Sequence, residues 1–594
     1  MAPGIGGDRA VVEPLIGKTA QGHAAAGACM SIEEAEEKWD SLSYRERMMP
    51  FFYKAAVANY TMPVALLSAL YIFLGFVWFA FFWYVIRDPT QELFSERNAR
   101  KFVLYNVLHG VLGFGAANGP LGLKMSFPFG STGLMFLTPG TLCSPLLPAV
   151  VGCVQRLPAR RSALHVLLNA AYMAALAYAI AEPSFARIHI VCVAMAAATV
   201  FDFTVFLASR GEHYGYMVVC MAFPDWIAGC QWVQLMLWIM VGFSKCGPWF
   251  KYVIQGLLKD AIWTPCLPAK TMARLFNRDF DRDDFTPSRT AHALAALGAA
   301  GEWLGPLCCA LGPAGGVVNA VGVFGMIAYH SFIWSTLPTA SVFEWQYYTM
   351  YMTYFLYRLH PMALPSSPPL LVLLAFVLLG LPVVGQLRPS LVPFLLAYRQ
   401  YAGNWRIGTV LLRKSAKHKF DKLKTYESIY WWKAAPPELG GEHAYYKFMS
   451  PLISVPLFRG MIPIVEAFLE KTGADIDDFW EVPTMTFITS VNGWNLGGSW
   501  EICRECWRHA VVEVCGLERG DMYLLMGEPA GILPPYTVGY RVMDMVKGPL
   551  DAELFASVPF SELEGTHPVQ VRIKPERIQS GRSIAGTFLD TYYI

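Results

Sequence analysis

Between about residues 60 and 400, the hydrophobic positions form long runs that charged residues rarely interrupt. The first run, Pro63–Ile86, is stopped by Arg87 and Asp88. A helix rises about 1.5 Å per residue, so about 20 apolar residues cross a hydrocarbon layer about 30 Å thick. The predicted membrane segments are Pro63–Ile86, Phe102–Ala117, Ser162–Ala181, Arg187–Ala208, Gly229–Gly242, Ala291–Leu311, Gly315–Leu337, Val342–Tyr357 and Leu370–Val384.

Two less regular pieces complete the predicted membrane region. A further span, broken at Pro224, is expected just before Gly229, and Leu391–Tyr398 is a short apolar piece at the membrane exit. Asn118–Pro148 is too rich in Gly and Pro for a regular long helix. Such backbone is tolerated at membrane depth only if protein buries it or it lines a cavity. We expect a re-entrant or interfacial segment there, and about 8–10 membrane segments in all.

The same pattern divides the chain into three parts. Residues 1–60 are predicted to be a disordered Ala/Gly-rich tail followed by a short amphipathic helix that opens at a capping box, Ser31–Glu34. Residues 61–400 form the multispanning helical domain. Residues 401–594 read as a basic juxtamembrane segment and a soluble α+β domain. Its predicted elements are a helix at Gly460–Thr472 and strands at Thr484–Val491, Tyr540–Met545 and Val569–Ile573.

Composition supports the fold class of an α-helical polytopic membrane protein with a carboxy-terminal soluble α+β domain. Of the 594 residues, 55% are hydrophobic and 15% are charged, and the net charge is +2. No pattern of basic and aromatic residues indicates nucleic-acid binding. The strongest basic cluster, Arg399–Lys424, and the loop with Arg156, Arg160 and Arg161 place the carboxy-terminal domain on the cytosolic or equivalent side by the positive-inside rule.

Ionisable residues inside apolar runs are the candidate chemistry, because a charge at membrane depth is costly and commonly functional. Lys245 and His213 border the most apolar part of the stretch from residue 211 to 249, and Glu302 and His330 lie inside two later runs. Structural alternatives exist for each. Lys245 could extend to the interface at a helix end, His213 could face water, and Glu302 and His330 could make interhelical polar contacts.

Two other patterns are weaker. Cys503 and Cys506 form a single CxxC, without the second pair of a zinc site or the βαβ context of a redox site. Asp279, Asp281 and Asp283 alternate as at the start of a calcium loop, but Asp284 and Thr290 replace the required Gly and Glu. We therefore expect no metal site.

Several segments resemble known membrane families. Four segments resemble the horizontally transferred transmembrane (HTTM) domain, the membrane part of vitamin K-dependent γ-carboxylases: HYGYMVV, QLMLWIMVGFSK, GEWLGPL and YHSFIWSTL. EWQYYTMYMTYF, RQYAGNW and SVNGWNLGGSWE more closely resemble an uncharacterised bacterial and algal transmembrane family. The first resemblance implies that Lys245 is a general base, that His213 assists an oxygenated intermediate, and that the cofactor or substrate is a quinone or quinol. The second lysine of those carboxylases and their glutamate-binding module have no counterpart here, so γ-carboxylation itself is not expected.

Two classes of function remain open from the sequence. In the first, Lys245 acts as general base in a membrane-embedded pocket for a quinol-like or lipid substrate, with His213, Glu302 and His330 positioning or transferring protons. In the second, the protein is a non-catalytic lipid-binding, transport or scaffold protein. The expected partners are membrane lipids and a lipophilic small molecule. The two classes differ in whether the four side chains converge.

Overall fold

The computed structural model describes residues 32–55, 64–115, 131–336, 343–387, 392, 402–425, 429, 456–494 and 504–580, except for 259–260, 269, 283, 405, 529, 549–550 and 566–569. Among these residues, six helices are long and apolar enough to cross a membrane. The predicted disordered tail, residues 118–130 of the Gly/Pro-rich stretch and nearly all of Leu391–Tyr398 lie outside the described residues.

The longer helices follow the hydrophobic runs closely, because only a helix satisfies all its backbone hydrogen bonds within one apolar segment. They are α1 Tyr44–Ala55, α2 Val64–Phe81, α3 Glu96–Val111, α4 Ala163–Ala181, α5 Phe185–Phe201, α6 Phe203–Ala208, α7 Tyr216–Cys220, α8 Trp226–Lys245, α9 Phe250–Leu257, α10 Arg289–Leu311, α11 Val317–Thr336, α12 Phe343–Thr353 and α13 Pro368–Leu374. Wider π-helical turns continue α2, α12 and α13, and another precedes α7.

One predicted span is divided in the structure. The run Arg187–Ala208 was expected as a single helix, but α5 ends at Phe201 and α6 begins at Phe203. Asp202 between them is extended, and its side chain accepts a hydrogen bond from the backbone N–H of Thr204. An aspartate in this position caps a new helix, which explains why hydropathy alone did not locate the break.

The carboxy-terminal part contains a six-stranded antiparallel sheet in the order β2–β1–β3–β4–β5–β6. Its strands are β1 Ile407–Arg413, β2 Phe479–Pro483, β3 Met522–Glu528, β4 Thr537–Asp544, β5 Leu554–Pro559 and β6 Ile578–Gln579. Its longer helices are α14 Met461–Thr472, α15 Thr484–Asn492 and α16 Glu505–Cys515. The predicted helix at Gly460–Thr472 and the predicted strand at Tyr540–Met545 are thus confirmed as α14 and β4.

Two predicted strands of this part are wrong. Thr484–Val491 is the helix α15, whose residues Phe487, Ile488 and Val491 are all fully buried. Their spacing of one and then three residues places them on one helical face, and this outweighs the β propensity of the threonines. The described residues 570–573 of the predicted strand Val569–Ile573 form no strand.

The membrane helices and the carboxy-terminal part pack directly against each other. Trp249, just after α8, contacts Tyr536 and Phe560 with ring centroids 5.5 and 6.0 Å apart. Trp494, just after α15, is 1% exposed and lies within the hydrophobic core of the membrane helices. The end of α8 therefore lies where the two parts meet.

The amino-terminal helix α1 is also attached to the carboxy-terminal part. Arg45 Nε donates to Glu466 Oε1 at 2.8 Å, and Arg47 Nη1 donates to Asp477 Oδ1 at 2.7 Å. Since α1 precedes every membrane helix, this contact places the amino-terminal end of the membrane region beside the carboxy-terminal part.

Candidate functional site

One face of α8 carries the contacts of all four predicted site residues. Gln234, Trp238 and Lys245 are four and seven residues apart in sequence, which places them along one side of a helix. All three are buried, and each binds a different predicted residue or pair. The helix α8 is therefore the element that organises the site.

Lys245 forms a buried ion pair with Glu302. Its Nζ donates to Glu302 Oε1 at 2.6 Å and to the hydroxyl of Tyr329 at 3.0 Å, and the two charged side chains are only 6% and 5% exposed. The ammonium also lies 5.1 Å from the ring centroid of Phe250. Lys245 therefore does not extend to the protein surface. Within the described chain, Glu302 Oε2 has no hydrogen-bond partner.

Glycines bring the three helices of this cluster close together. A Cβ at Gly242 on α8 would lie 2.3 Å from Trp303 Nε1 and 3.4 Å from Glu302 Cβ. On α10, the ring of Tyr329 packs over Gly301, where a Cβ would lie 3.5 Å away. Small residues permit such close approach in membrane helix bundles. The ion pair thus depends on the absence of a side chain at Gly242.

We expect Gly242→Ala to lower the free energy of unfolding by about 1–3 kcal/mol, because the new methyl group overlaps the indole of Trp303. The measurement is the denaturation midpoint of the purified protein in one detergent. Gly325→Ala is the matched control, because a Cβ at Gly325 on α11 meets nothing within 4 Å. Alanine there should be neutral or stabilising. Equal midpoints for the two variants would contradict the close packing.

His330 is bound on both sides of its ring. Its Nε2 accepts a hydrogen bond from Trp238 Nε1 at 2.9 Å, and its Nδ1 lies 2.7 Å from Gln346 Oε1. Because an amide oxygen only accepts, the Nδ1 proton is assigned to this bond and the imidazole is neutral. His330 therefore links α8, α11 and α12, as an interhelical polar contact would. A role of His330 in proton transfer remains a prediction.

His213 lies at the other end of the face. Its Nε2 is 2.7 Å from Gln234 Oε1, and the side chain is 2% exposed, so it does not face water. Gln234 and Lys245 are eleven residues apart, which corresponds to about 16 Å along the helix. Lys245, Glu302 and Tyr329 are thus brought together, whereas His330 and His213 contact α8 further along, at Trp238 and at Gln234.

The sequence analysis missed Tyr329, Gln234, Trp238 and Gln346. The polar residues on α8 could have been found from their spacing, because Gln234 and Trp238 share the face of Lys245. Tyr329 and Gln346 have no such signal. Tyr329 is one of many aromatic residues that are usual in membrane helices, and Gln346 lies within an aromatic run. Their contacts depend on how the helices pack.

The CxxC pair is only partly described. Cys506 is half-buried on α16, and burial raises the pKa of its thiol. A raised pKa lowers the thiolate fraction and with it the reactivity of the sulfur. Cys503 lies outside the described residues.

These elements define the class of the protein: a polytopic α-helical membrane protein with a sheet-containing carboxy-terminal region and a buried ion pair between its helices. Residues 37–558 match the model of a family described as transmembrane protein of unknown function, DUF3556. The chain belongs to this family, as its resemblance to an uncharacterised transmembrane family indicated. No curated protein and no solved structure matches it. Nothing in these comparisons links it to the HTTM domain or to γ-carboxylases.

Proposed function

We propose that this membrane protein binds a lipophilic molecule with an acidic hydroxyl group, such as a quinol, and takes up its proton at the Lys245–Glu302 pair. The observation that carries the proposal is the ion pair inside two apolar helices, with Glu302 Oε2 free of any partner in the described chain. Paired charges within a membrane region are costly and mark functional positions.

The geometry favours Glu302 as the proton acceptor. The ammonium protons of Lys245 are directed at Glu302 and Tyr329, so this nitrogen has no lone pair for a substrate while the pair is ionised. In the proposed step, the O–H bond of the ligand breaks, its proton moves to Glu302 Oε2, and the resulting oxyanion pairs with Lys245. The site then holds one positive and one negative charge before and after the transfer. The general-base role predicted for Lys245 would require the pair to exchange its proton first.

A structural role is the alternative, in which the pair only holds α8 against α10. One variant separates the two functions. Lys245→Met/Glu302→Leu removes both charges, and replacing a whole buried ion pair by apolar residues is often neutral or stabilising. If the pair only holds the helices together, this variant should behave like the wild type. If the pair also binds the ligand, the variant should fold but fail to bind it.

The test is mass spectrometry of lipids and quinones that co-purify with the wild type and with Lys245→Met/Glu302→Leu. We expect a quinol or another lipid with an acidic hydroxyl group to be enriched at least about 10-fold on the wild type, equivalent to about 1.4 kcal/mol of binding. The matched control is Arg406→Met/Glu528→Leu, which removes another buried ion pair, one formed at the end of β3 in the carboxy-terminal part. Identical lipid profiles for all three proteins would contradict the proposal and favour a scaffold role.

We further propose that the chain crosses the membrane ten times. Three polar contacts join loops on the side away from the carboxy-terminal part: Arg97 with Glu182, Asp225 with Ser367, and Arg358 with Gly316. These residues lie in or beside the connections α2/α3, α4/α5, α7/α8, α10/α11 and α12/α13. Five such connections require ten crossings if α6 and α7 form one broken span. An even number agrees with the docking of α1 on the carboxy-terminal part.

By the positive-inside rule, we propose that the carboxy-terminal part lies on the cytosolic or equivalent side, because most basic residues of the connections lie on its side. The test is an epitope tag at either terminus or in the connection near Ala314. We expect both terminal tags to be accessible from the cytosol and the Ala314 tag only from the opposite side. Terminal tags on different sides would rule out an even number of crossings.

A further inference from the structure

The break between α6 and α7 has an unusual backbone. Arg210 has a φ of 49°, a left-handed conformation that is uncommon for a residue with a side chain, and a π-helical turn, Gly211–Gly215, follows it. A Cβ at Gly211 would lie 2.2 Å from the ring of Phe206, so only glycine fits there. Such strain persists only where the surroundings impose it, and it concentrates at functional positions.

His213 lies in this strained turn, and its side chain binds that of Gln234. Because Gln234 Oε1 can only accept, the imidazole Nε2 carries the proton of their 2.7 Å hydrogen bond, and Nδ1 carries a lone pair. Among the described residues, neither His213 Nδ1 nor Gln234 Nε2 has a hydrogen-bond partner, although the side chains are only 2% and 0% exposed. The fold thus holds one acceptor and one donor buried next to each other, an arrangement that is costly unless something binds them.

The surroundings of this pair are aromatic. The rings of Tyr214 and Tyr348 lie 4.9 and 5.2 Å from that of His213, and Trp345 lies 6.3 Å away. Arg210 stacks on Trp345 at 5.2 Å, and its charge is balanced in sign by buried Glu212 two residues on. An apolar wall with a few convergent polar atoms is typical of a small-molecule site. The balanced charge favours a neutral ligand.

We infer that His213 and Gln234 form a second binding site, which takes the hydroxyl group of a neutral lipid alcohol. The hydroxyl donates to His213 Nδ1, and its oxygen or a neighbouring one accepts from Gln234 Nε2. The apolar chain lies among the aromatic rings. This site is about 16 Å from the Lys245–Glu302 pair along α8 and does not rest on the proton transfer proposed there.

The experiment uses a photoreactive diazirine analogue of farnesol as the probe and the full-length protein in lipid nanodiscs. Cross-linked peptides are located by mass spectrometry, and labelling is expected on the turn before α7 and on α8 near Gln234. Excess unlabelled farnesol should displace the probe, whereas the hydrocarbon farnesene, which lacks the hydroxyl, should not. Equal displacement by farnesene, or labelling spread evenly over lipid-facing helices, would overturn the inference.

Variants then test the two side chains. His213→Phe/Gln234→Leu removes the donor and the acceptor together, so neither is left buried alone, and labelling should fall at least about 10-fold. His189→Phe is the matched control, since His189 is exposed on α5 and should leave labelling unchanged. Lys245→Met/Glu302→Leu should also keep the labelling, which separates this inference from the proposed proton transfer. Full labelling of the His213→Phe/Gln234→Leu protein would refute the site.

Discussion

Glu302→Leu should lower the free energy of unfolding by about 3–5 kcal/mol, because it leaves the Lys245 ammonium buried without its counter-charge. The side chain of Lys245 is only 6% exposed and is enclosed by the rings of Phe250 and Tyr329. Its tip therefore cannot reach water without disrupting the contact between α8 and α10. The loss is measured as a shift of the denaturation midpoint in detergent.

The double variant Lys245→Met/Glu302→Leu is the control for this prediction. It should recover most of the stability, because no unpaired charge remains in the apolar interior. If Glu302→Leu and the double variant both lost stability strongly and to the same extent, the shape of the carboxylate, and not its charge, would hold the helices together. Wild-type stability in the single variant would contradict the buried pair.

Asp202→Ala should have a similar effect, about 3–5 kcal/mol, and should loosen the carboxy-terminal part. Arg161 Nε donates to Asp202 Oδ2 at 2.8 Å, and Arg161 Nη2 donates to the carbonyl oxygen of Asn492 in α15 at 2.9 Å. The side chains of Arg161 and Asp202 are 0% and 1% exposed. Without Asp202, the buried guanidinium loses its counter-charge and α6 loses its cap. The readouts are the denaturation midpoint and limited proteolysis near residue 494.

An exposed ion pair that joins Arg156 to Glu513 of the carboxy-terminal part serves as the control. Arg156 Nη2 lies 2.6 Å from Glu513 Oε1, but the side chains are 87% and 44% exposed. Exposed pairs contribute about 0–1 kcal/mol, so Arg156→Ala should change neither the midpoint nor the proteolysis pattern appreciably. Equal effects of the two substitutions would show that burial does not govern the Arg161–Asp202 contact.

Burial also explains which residues of the site can be identified from the sequence. Lys245 and Glu302 were singled out because each interrupts an apolar run, and the structure joins them in one ion pair. His330 was singled out for the same reason, yet both its nitrogens bind neighbouring helices. An apolar surrounding therefore indicates that a polar residue has a partner, but not whether the partner is another helix or a ligand.

Several parts of the fold were not accessible to sequence reasoning. Thr484–Val491 alternates as a strand does, and only the burial of one face, completed by the neighbouring sheet, decides in favour of helix α15. Asp202 looked like a polar residue near the end of a span, whereas it binds Arg161, which in turn donates to Asn492 of the carboxy-terminal part. In both cases the deciding partner is far away in the sequence.

The sequence alone determined the membrane class, the approximate bounds of most apolar helices and the identity of Lys245 and Glu302 as unusual residues, because hydrophobic length and period act within one segment. The tertiary structure alone decided that Lys245 and Glu302 pair, that Tyr329 joins them, and that His213 binds Gln234, which lies about 16 Å from Lys245 along α8. The physical reason is that contacts between helices depend on their relative rotation and approach. These are set by interhelical packing, such as that at Gly242 and Trp303, and not by any local period.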